Sequence, residues 1–75
     1  MNLYDALENK SYKIVSINLT YEIFSRITNL GFFVGGVVFV VKSATKTRPI
    51  LINSNGLNVA LGEDISKNIG VSLSE

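Results

Sequence analysis

The first residues whose spacing could do chemistry are Gly31 and Gly36, which stand five positions apart like the two glycines of a phosphate-binding P-loop. In that loop a lysine and a serine or threonine follow the second glycine and contact phosphate and magnesium. Here Val37 and Val38 occupy those two positions. The segment also leads from a predicted helix into a predicted strand, which reverses the order of a P-loop. These glycines therefore do not predict nucleotide binding.

Side chains for catalysis or metal binding are few. The chain has no cysteine and no histidine, and its serines have no neighbouring base in the sequence. Nucleophilic catalysis therefore lacks its usual groups, and zinc, copper and iron–sulfur clusters lack their usual ligands. We predict from this composition that the chain is not an enzyme and holds no cofactor.

Two carboxylates, Glu63 and Asp64, stand side by side at the start of a predicted helical turn. Negative charge is favourable at a helix N-terminus without any ligand. A weak site for a hard cation and a contact with a partner are the alternatives. With Glu75 the pair makes a thin set of oxygen ligands, and Lys67 lies near enough in sequence to form a salt bridge with it.

The chain as a whole reads as one small domain. Its 75 residues leave room for a single unit, residues 1–75, and a hydrophobic content of 47% is typical of a globular chain. The net charge is +1 with the basic residues thinly spread, so nucleic acid is not an expected partner. Residues 42–48 are expected to form a solvated polar loop, with an anionic contact as the alternative. The first residues lack the pattern of a signal peptide, which predicts a cytoplasmic location.

A run of twelve residues from Leu30 to Val41 contains no polar side chain. A helix needs about 20 apolar residues to cross a bilayer, so we expect no membrane insertion. Gly31 predicts the end of a helix over residues 21–30, which Thr20 would cap at its start. The stripe that this helix would bury consists of Ile23, Phe24, Ile27 and Leu30.

The remaining elements are predicted to be short strands. Residues 11–19 suggest a strand with a bulge or bend, residues 37–41 a second strand, and Asn55-Gly56 the type I′ turn of a hairpin that starts after Pro49. Residues 62–68 read as one helical turn before a closing strand in which Ile69, Val71 and Leu73 alternate. The predicted fold class is mostly β: a small, bent barrel of about five strands, with one amphipathic α-helix between the first two strands and a short helical turn before the last.

The strand rich in valine is apolar on both faces, because Val37 and Phe39 alternate with Val38 and Val40. One face must line the core. The other is either exposed to a partner or covered by the N-terminal arm or the helix of the same chain, and Leu51 of the next strand would extend it.

The order and spacing of several elements match a known family. Along the chain they are Leu30-Gly31-Phe32-x-x-Gly35, Val38-x-Val40-Val41, Pro49-Ile50-x-Ile52, Gly56, Val59-Ala60-Leu61-Gly62 and Ile69-x-Val71. Together they resemble ferrous iron transport protein A, FeoA, over nearly the whole chain. The residues taken as the fold signature are Leu30, Gly31, Gly35, Pro49, Gly56 and Leu61.

The resemblance implies a small cytoplasmic protein with a Src-homology-3-like (SH3-like) barrel that accompanies the ferrous-iron permease FeoB, whose cytosolic end binds GTP. Fe²⁺ would then be the cargo of the permease and not a cofactor of this chain. A similar domain occurs at the C-terminus of iron-dependent repressors, but no DNA-binding part is present here. The chain departs from the family where Asn9 replaces a usual glycine and Ser66 a usual alanine, and where Val37, Phe39 and Leu51 replace polar residues on the outside of the barrel.

Two functions follow from this comparison. The first is a binding module that docks on the GTP-binding part of the permease through Val37, Phe39 and Leu51, or that self-associates through the same residues. The second is a metal-responsive regulator that binds Fe²⁺ directly, for which Glu63, Asp64 and Glu75 are the available oxygen ligands.

Overall fold

The computed structural model describes residues 1–74. A short 3₁₀ turn, Leu3–Asp5, opens the chain. The other elements follow in the order β1 (Ser11–Ile17), α1 (Tyr21–Asn29), β2 (Val37–Lys42), β3 (Ile50–Ser54), β4 (Leu57–Leu61), α2 (Glu63–Ser66) and β5 (Ile69–Ser74).

The strands form one antiparallel sheet in the spatial order β4-β3-β2-β1-β5, so β2 lies at its centre. The pairing of β1 with β5 shifts at Val15, and that of β2 with β3 shifts at Val41. Such an extra residue bends a strand and increases its twist. The predicted irregularity of the first strand and the mostly β fold class are both confirmed.

The β3–β4 hairpin has the predicted register. Asn55 and Gly56 have φ angles of 53° and 83°, as a type I′ turn requires. Ser54 pairs with Leu57, and the pairing continues without a shift to Ile50 and Leu61. Local turn chemistry is therefore sufficient to align these two strands.

Helix α1 starts and ends where the sequence indicates. The Thr20 hydroxyl accepts a hydrogen bond from the Ile23 N–H, and Gly31 follows the helix with a φ of +95°. The Phe32 N–H then donates to the Ile27 carbonyl at 3.1 Å, and the Gly31 N–H to the Thr28 carbonyl at 2.9 Å. These two bonds form a Schellman motif, which turns Phe32 back into the core.

The stripe predicted to be buried on α1 is wrong in part. Ile27 is buried and Ile23 is half-buried, but Phe24 and Leu30 are exposed. The helix therefore reaches the core mainly through Ile27 and the following turn.

The predicted closing strand is confirmed as β5, but its apolar face is not buried along its whole length. Ile69 and Val71 are buried, whereas Leu73 is 50% exposed although it stands opposite the buried Tyr12. Strand β5 is an edge of the sheet, so its final residues have a neighbouring strand on one side only.

The core occupies the inner side of the sheet and consists of hydrophobic residues, of which Tyr12 accepts a hydrogen bond on its hydroxyl from the Leu7 N–H at 2.9 Å. Ser54 and Ser66 are buried as well. The 3₁₀ turn adds Leu3 and Ala6 to the core. Its members are Leu3, Ala6, Tyr12, Ile14, Ile27, Phe32, Val38, Val40, Ile50, Ile52, Leu61, Ile69 and Val71.

Candidate protein-binding surface

Strand β2 has two apolar faces in opposite environments. Val38 and Val40 are fully buried, while Val37 is 52% and Phe39 is 40% exposed. The alternation that the sequence predicts for this strand is confirmed. A valine and a phenylalanine therefore lie on the outer face of the central strand of the sheet.

The register places Leu51 beside them. Phe39 pairs with Asn53 on β3, and Leu51 lies two residues before Asn53 on the same face. Diagonal neighbours of this kind are about 7–8 Å apart, within reach of large side chains. Leu51 itself is half-buried. We call Val37, Phe39 and Leu51 the outer patch.

Polar and basic side chains border the outer patch. Lys13 stands opposite Val37, Ser11 and Asn53 flank Phe39, and Lys42 stands opposite Leu51. None of the five strands carries an acidic residue. The centre of this face is therefore apolar, and its charged neighbours are lysines.

The N-terminal arm does not cover the outer patch. Asn2 forms a β-bridge with Gly70, and the Val71 N–H donates to the Met1 carbonyl at 2.8 Å. The arm thus runs along β5, which is two strands away from β2. Neither the arm nor α1 hides Val37 and Phe39, so the alternative that the chain covers this face itself is wrong for those two residues.

The signature residues lie mostly at turns. Gly31, Gly35 and Gly56 have φ values of +95°, +96° and +83°, which side chains other than glycine rarely adopt. Pro49 directly precedes β3, and Leu30 is the C-cap of α1. Of the six, Leu61 alone is a core residue, with 4% exposure.

Sequence reasoning missed two exposed side chains in the loop after α1. The Gly36 N–H donates to the Phe33 carbonyl at 2.9 Å, and Gly35 has a positive φ, which is the pattern of a type II turn. Phe33 is 51% and Val34 is 59% exposed. The glycine pair was the available signal, because a type II turn with glycine at its third position places the second residue, here Val34, at the surface and starts at Phe33.

The carboxylates predicted at α2 form an ion pair instead of a cluster. The Lys67 Nζ lies 2.6 Å from the Glu63 Oε2, and this contact lowers the pKa of Glu63 and raises that of Lys67 through hydrogen bonding and charge attraction. The same Nζ lies 5.1 Å from the centre of the Tyr4 ring. Asp64 is exposed, and Glu75 lies outside the described residues. Within residues 1–74 no three acidic side chains come together as a metal site.

The described part of the chain also offers no enclosed site. We find no ligand-sized cavity within residues 1–74. No helix among these residues is long and apolar enough to cross a membrane. An exposed surface is therefore the candidate site that the structure supplies.

Comparison with known proteins identifies the family. The model of the FeoA domain matches residues 1–73. The chain belongs to the FeoA family. This is a non-catalytic family of ferrous iron transport, and its members have an SH3-like fold. No curated protein matches the chain by sequence.

Solved structures of FeoA proteins have the same fold. Iron(II) transport protein A from Clostridium thermocellum superposes with a TM-score of 0.88 at 20% identity, over 97% of this chain and 45% of that one. The FeoA protein from Chlorobium tepidum gives a TM-score of 0.86 at 22% identity, over 97% and 70% of the two chains. This FeoA-family chain thus spans less than half of the Clostridium thermocellum chain.

Larger proteins, among them the manganese regulator SloR, contain a domain of the same fold. The structure of ScaR with bound Zn²⁺ superposes with a TM-score of 0.81 at 17% identity, over 95% of this chain and 35% of ScaR. At this identity the likeness shows the fold alone.

Proposed function

We propose that this FeoA-family protein is a cytoplasmic accessory of ferrous-iron uptake that binds the GTP-binding cytosolic part of an FeoB-type permease. The outer patch of Val37, Phe39 and Leu51 is the proposed contact. Fe²⁺ is the cargo of the permease in this scheme. Family membership supports the link to ferrous iron transport. The exposed apolar outer patch supports a binding role.

The exposure of Phe39 at the centre of the sheet carries this proposal. An aromatic side chain on the outer face of a central strand gains hydrophobic free energy when a partner covers it. Phe39 stands directly opposite two polar residues, Ser11 and Asn53, and 40% of it stays exposed. Contact with another molecule would bury the exposed part of this ring.

The charges around the outer patch indicate the chemistry of the partner surface. Lys13 and Lys42 border the patch, and the strands supply no acidic residue. A complementary surface is apolar at its centre and acidic at its rim. We expect such a surface on the cytosolic part of the permease.

Titration of the protein with the permease's purified cytosolic domain tests the proposal. We expect Phe39→Asp to weaken binding at least about tenfold, because it places a charge in the apolar centre of the contact. Leu73→Asp is the matched control, since Leu73 is similarly exposed but faces the other side of the sheet, and it should bind like the parent protein.

Both variants are first checked for folding by circular dichroism. Equal affinity of the parent protein and a folded Phe39→Asp variant would show that the outer patch is not the contact. Raised ionic strength should weaken binding of the parent protein, because the rim lysines are exposed.

A further inference from the structure

The two edges of the sheet differ in how they are protected. On the β5 edge, Met1 and Asn2 run alongside the strand and bond to Val71 and Gly70. On the β4 edge, no backbone group of Leu57–Leu61 has a hydrogen-bond partner beyond β3 within residues 1–74. Strand β4 is therefore the open edge.

The hairpin determines which groups of β4 are free. In a two-residue hairpin the residues next to the turn, here Ser54 and Leu57, form a hydrogen-bonded pair, and such pairs alternate along the strands. The backbone groups of Val59 therefore point to β3. Those of Asn58 and Ala60 point away from the sheet, where both residues are exposed.

Strand β4 also lacks the usual devices that protect an edge. Lysines, prolines and bulges on edge strands discourage pairing with another chain. Residues 57–61 contain no charged residue and no proline, and their pairing with β3 has no register shift. Leu57 is 48% exposed on this strand. The edge is thus a regular, uncharged template for one more strand.

We propose that β4 pairs with β4 of a second copy in a two-fold symmetric, antiparallel dimer centred on Val59. In this register Asn58 of each copy stands opposite Ala60 of the other. Each of these two pairs exchanges two backbone hydrogen bonds, which makes four in the dimer. Each β4 edge has two free N–H groups and two free C=O groups, and in this register each of them pairs with a group of the second copy.

The sequence of β4 favours a second copy over another extended peptide. The register brings Val59 against Val59, and Leu57 against Leu61, so the row on the inner face is apolar in both directions along the strand. Asn58 meets Ala60 on the outer face. The pattern Leu-Asn-Val-Ala-Leu is nearly symmetric about its centre, so a two-fold axis through Val59 pairs apolar residues with apolar residues.

The charges near the strand fit the same register. Glu63 starts α2 two residues after β4, and the same register places it nearest Asn55 of the second copy, where no acid stands. A strand of five residues is only about 17 Å long, so the contact area is small and the dimer is weak and reversible. The outer patch lies on β2 and β3, away from this edge, so each dimer carries two accessible patches.

Sedimentation of the unmodified protein from about 10 μM to about 1 mM tests this dimer, together with amide hydrogen exchange at both concentrations. We expect a monomer–dimer equilibrium in this range. The N–H groups of Asn58 and Ala60 should exchange more slowly at the high concentration. The N–H of Val59, which is bonded within the hairpin, should not change.

Ala60→Pro is the sharpest variant. It removes an outward N–H but no bond to β3, so the fold tolerates it and each dimer loses two of four hydrogen bonds. We expect dimerisation to weaken about tenfold or more. Ala60→Ser keeps the N–H and should dimerise like the parent protein. Phe39→Asp should also dimerise normally.

Three results would overturn the dimer: a monomer at about 1 mM, concentration-independent exchange of Asn58 and Ala60, or a dimer that Phe39→Asp abolishes and Ala60→Pro does not. The exchange measurement decides the question even if Ala60→Pro does not fold. None of these results bears on permease binding, which is measured with a different partner and a different variant.

Discussion

The two halves of the apolar run from Leu30 to Val41 bury their side chains by different rules. In the turn half, residues 30–36, Phe32 alone is fully buried, while Phe33 and Val34 are exposed. In the strand half, every second residue is buried. Side chains of the same type thus end in opposite environments, so backbone geometry and not hydrophobicity decides which of them enter the core.

Phe32→Ala is expected to have the largest effect on stability among the variants that test this comparison. Phe32 has no exposed surface, so its truncation leaves a cavity and should lower the free energy of unfolding by about 3–5 kcal/mol. Phe33→Ala, one residue further, should cost about 1 kcal/mol or less. Urea denaturation followed by circular dichroism measures both. Similar losses for the two variants would contradict the role we give to the turn.

The strand half is tested by Val40→Ala and Val37→Ala. Val40 is fully buried and should lose about 2 kcal/mol of unfolding free energy, whereas Val37 is half exposed and should lose about 0.5 kcal/mol. The same denaturation experiment gives both values. If Val37→Ala cost as much as Val40→Ala, the outer face would be covered in the isolated protein.

Gly31→Ala tests what directs Phe32 inward. The φ of +95° is unfavourable for alanine, and the new Cβ would lie 3.0 Å from the Asn55 Nδ2, so we expect a loss of about 1–2 kcal/mol. Gly35→Ala has almost the same φ but open space around it, and should cost about 1 kcal/mol. Thermal unfolding compares them. A neutral Gly31→Ala would show that the left-handed turn does not limit stability.

The smallest effect is expected outside the run, at the exposed pair Glu63–Lys67. Lys67 holds the pKa of Glu63 below its usual range, so the pair stabilises the fold at neutral pH, and this contribution disappears as the pH falls through the lowered pKa. Lys67→Met should return the Glu63 pKa toward its usual value with little change in melting temperature. An NMR titration of the Glu63 carboxyl measures this, and an unmoved pKa would exclude Lys67 as the cause.

Much of the fold was predictable because its signals are local. Thr20 and Gly31 mark the start and the end of α1, and Asn55-Gly56 sets the register of β3 and β4. Each of these signals acts through the backbone within a few residues. The predicted burial of Phe24 and Leu30 was wrong, because periodicity shows which side chains share a face but not whether another element covers that face.

The candidate site could be predicted only in part. Alternation placed Val37 and Phe39 together on one face, and the structure adds that β2 is the central strand and that the N-terminal arm lies elsewhere. The exposed Phe33 and Val34 were missed, because the glycines around them were interpreted only as a helix stop and a turn.

By itself, the sequence determined the elements, their caps and turns, and the hairpin register, all of which depend on contacts close along the chain. The tertiary structure decided which apolar side chains stay exposed and which sheet edge is covered. Met1 and Asn2 protect β5 from a distance of about 70 residues, and no local pattern encodes that contact. The open β4 edge and the uncovered outer patch follow from this long-range packing, since burial depends on the arrangement of the whole sheet.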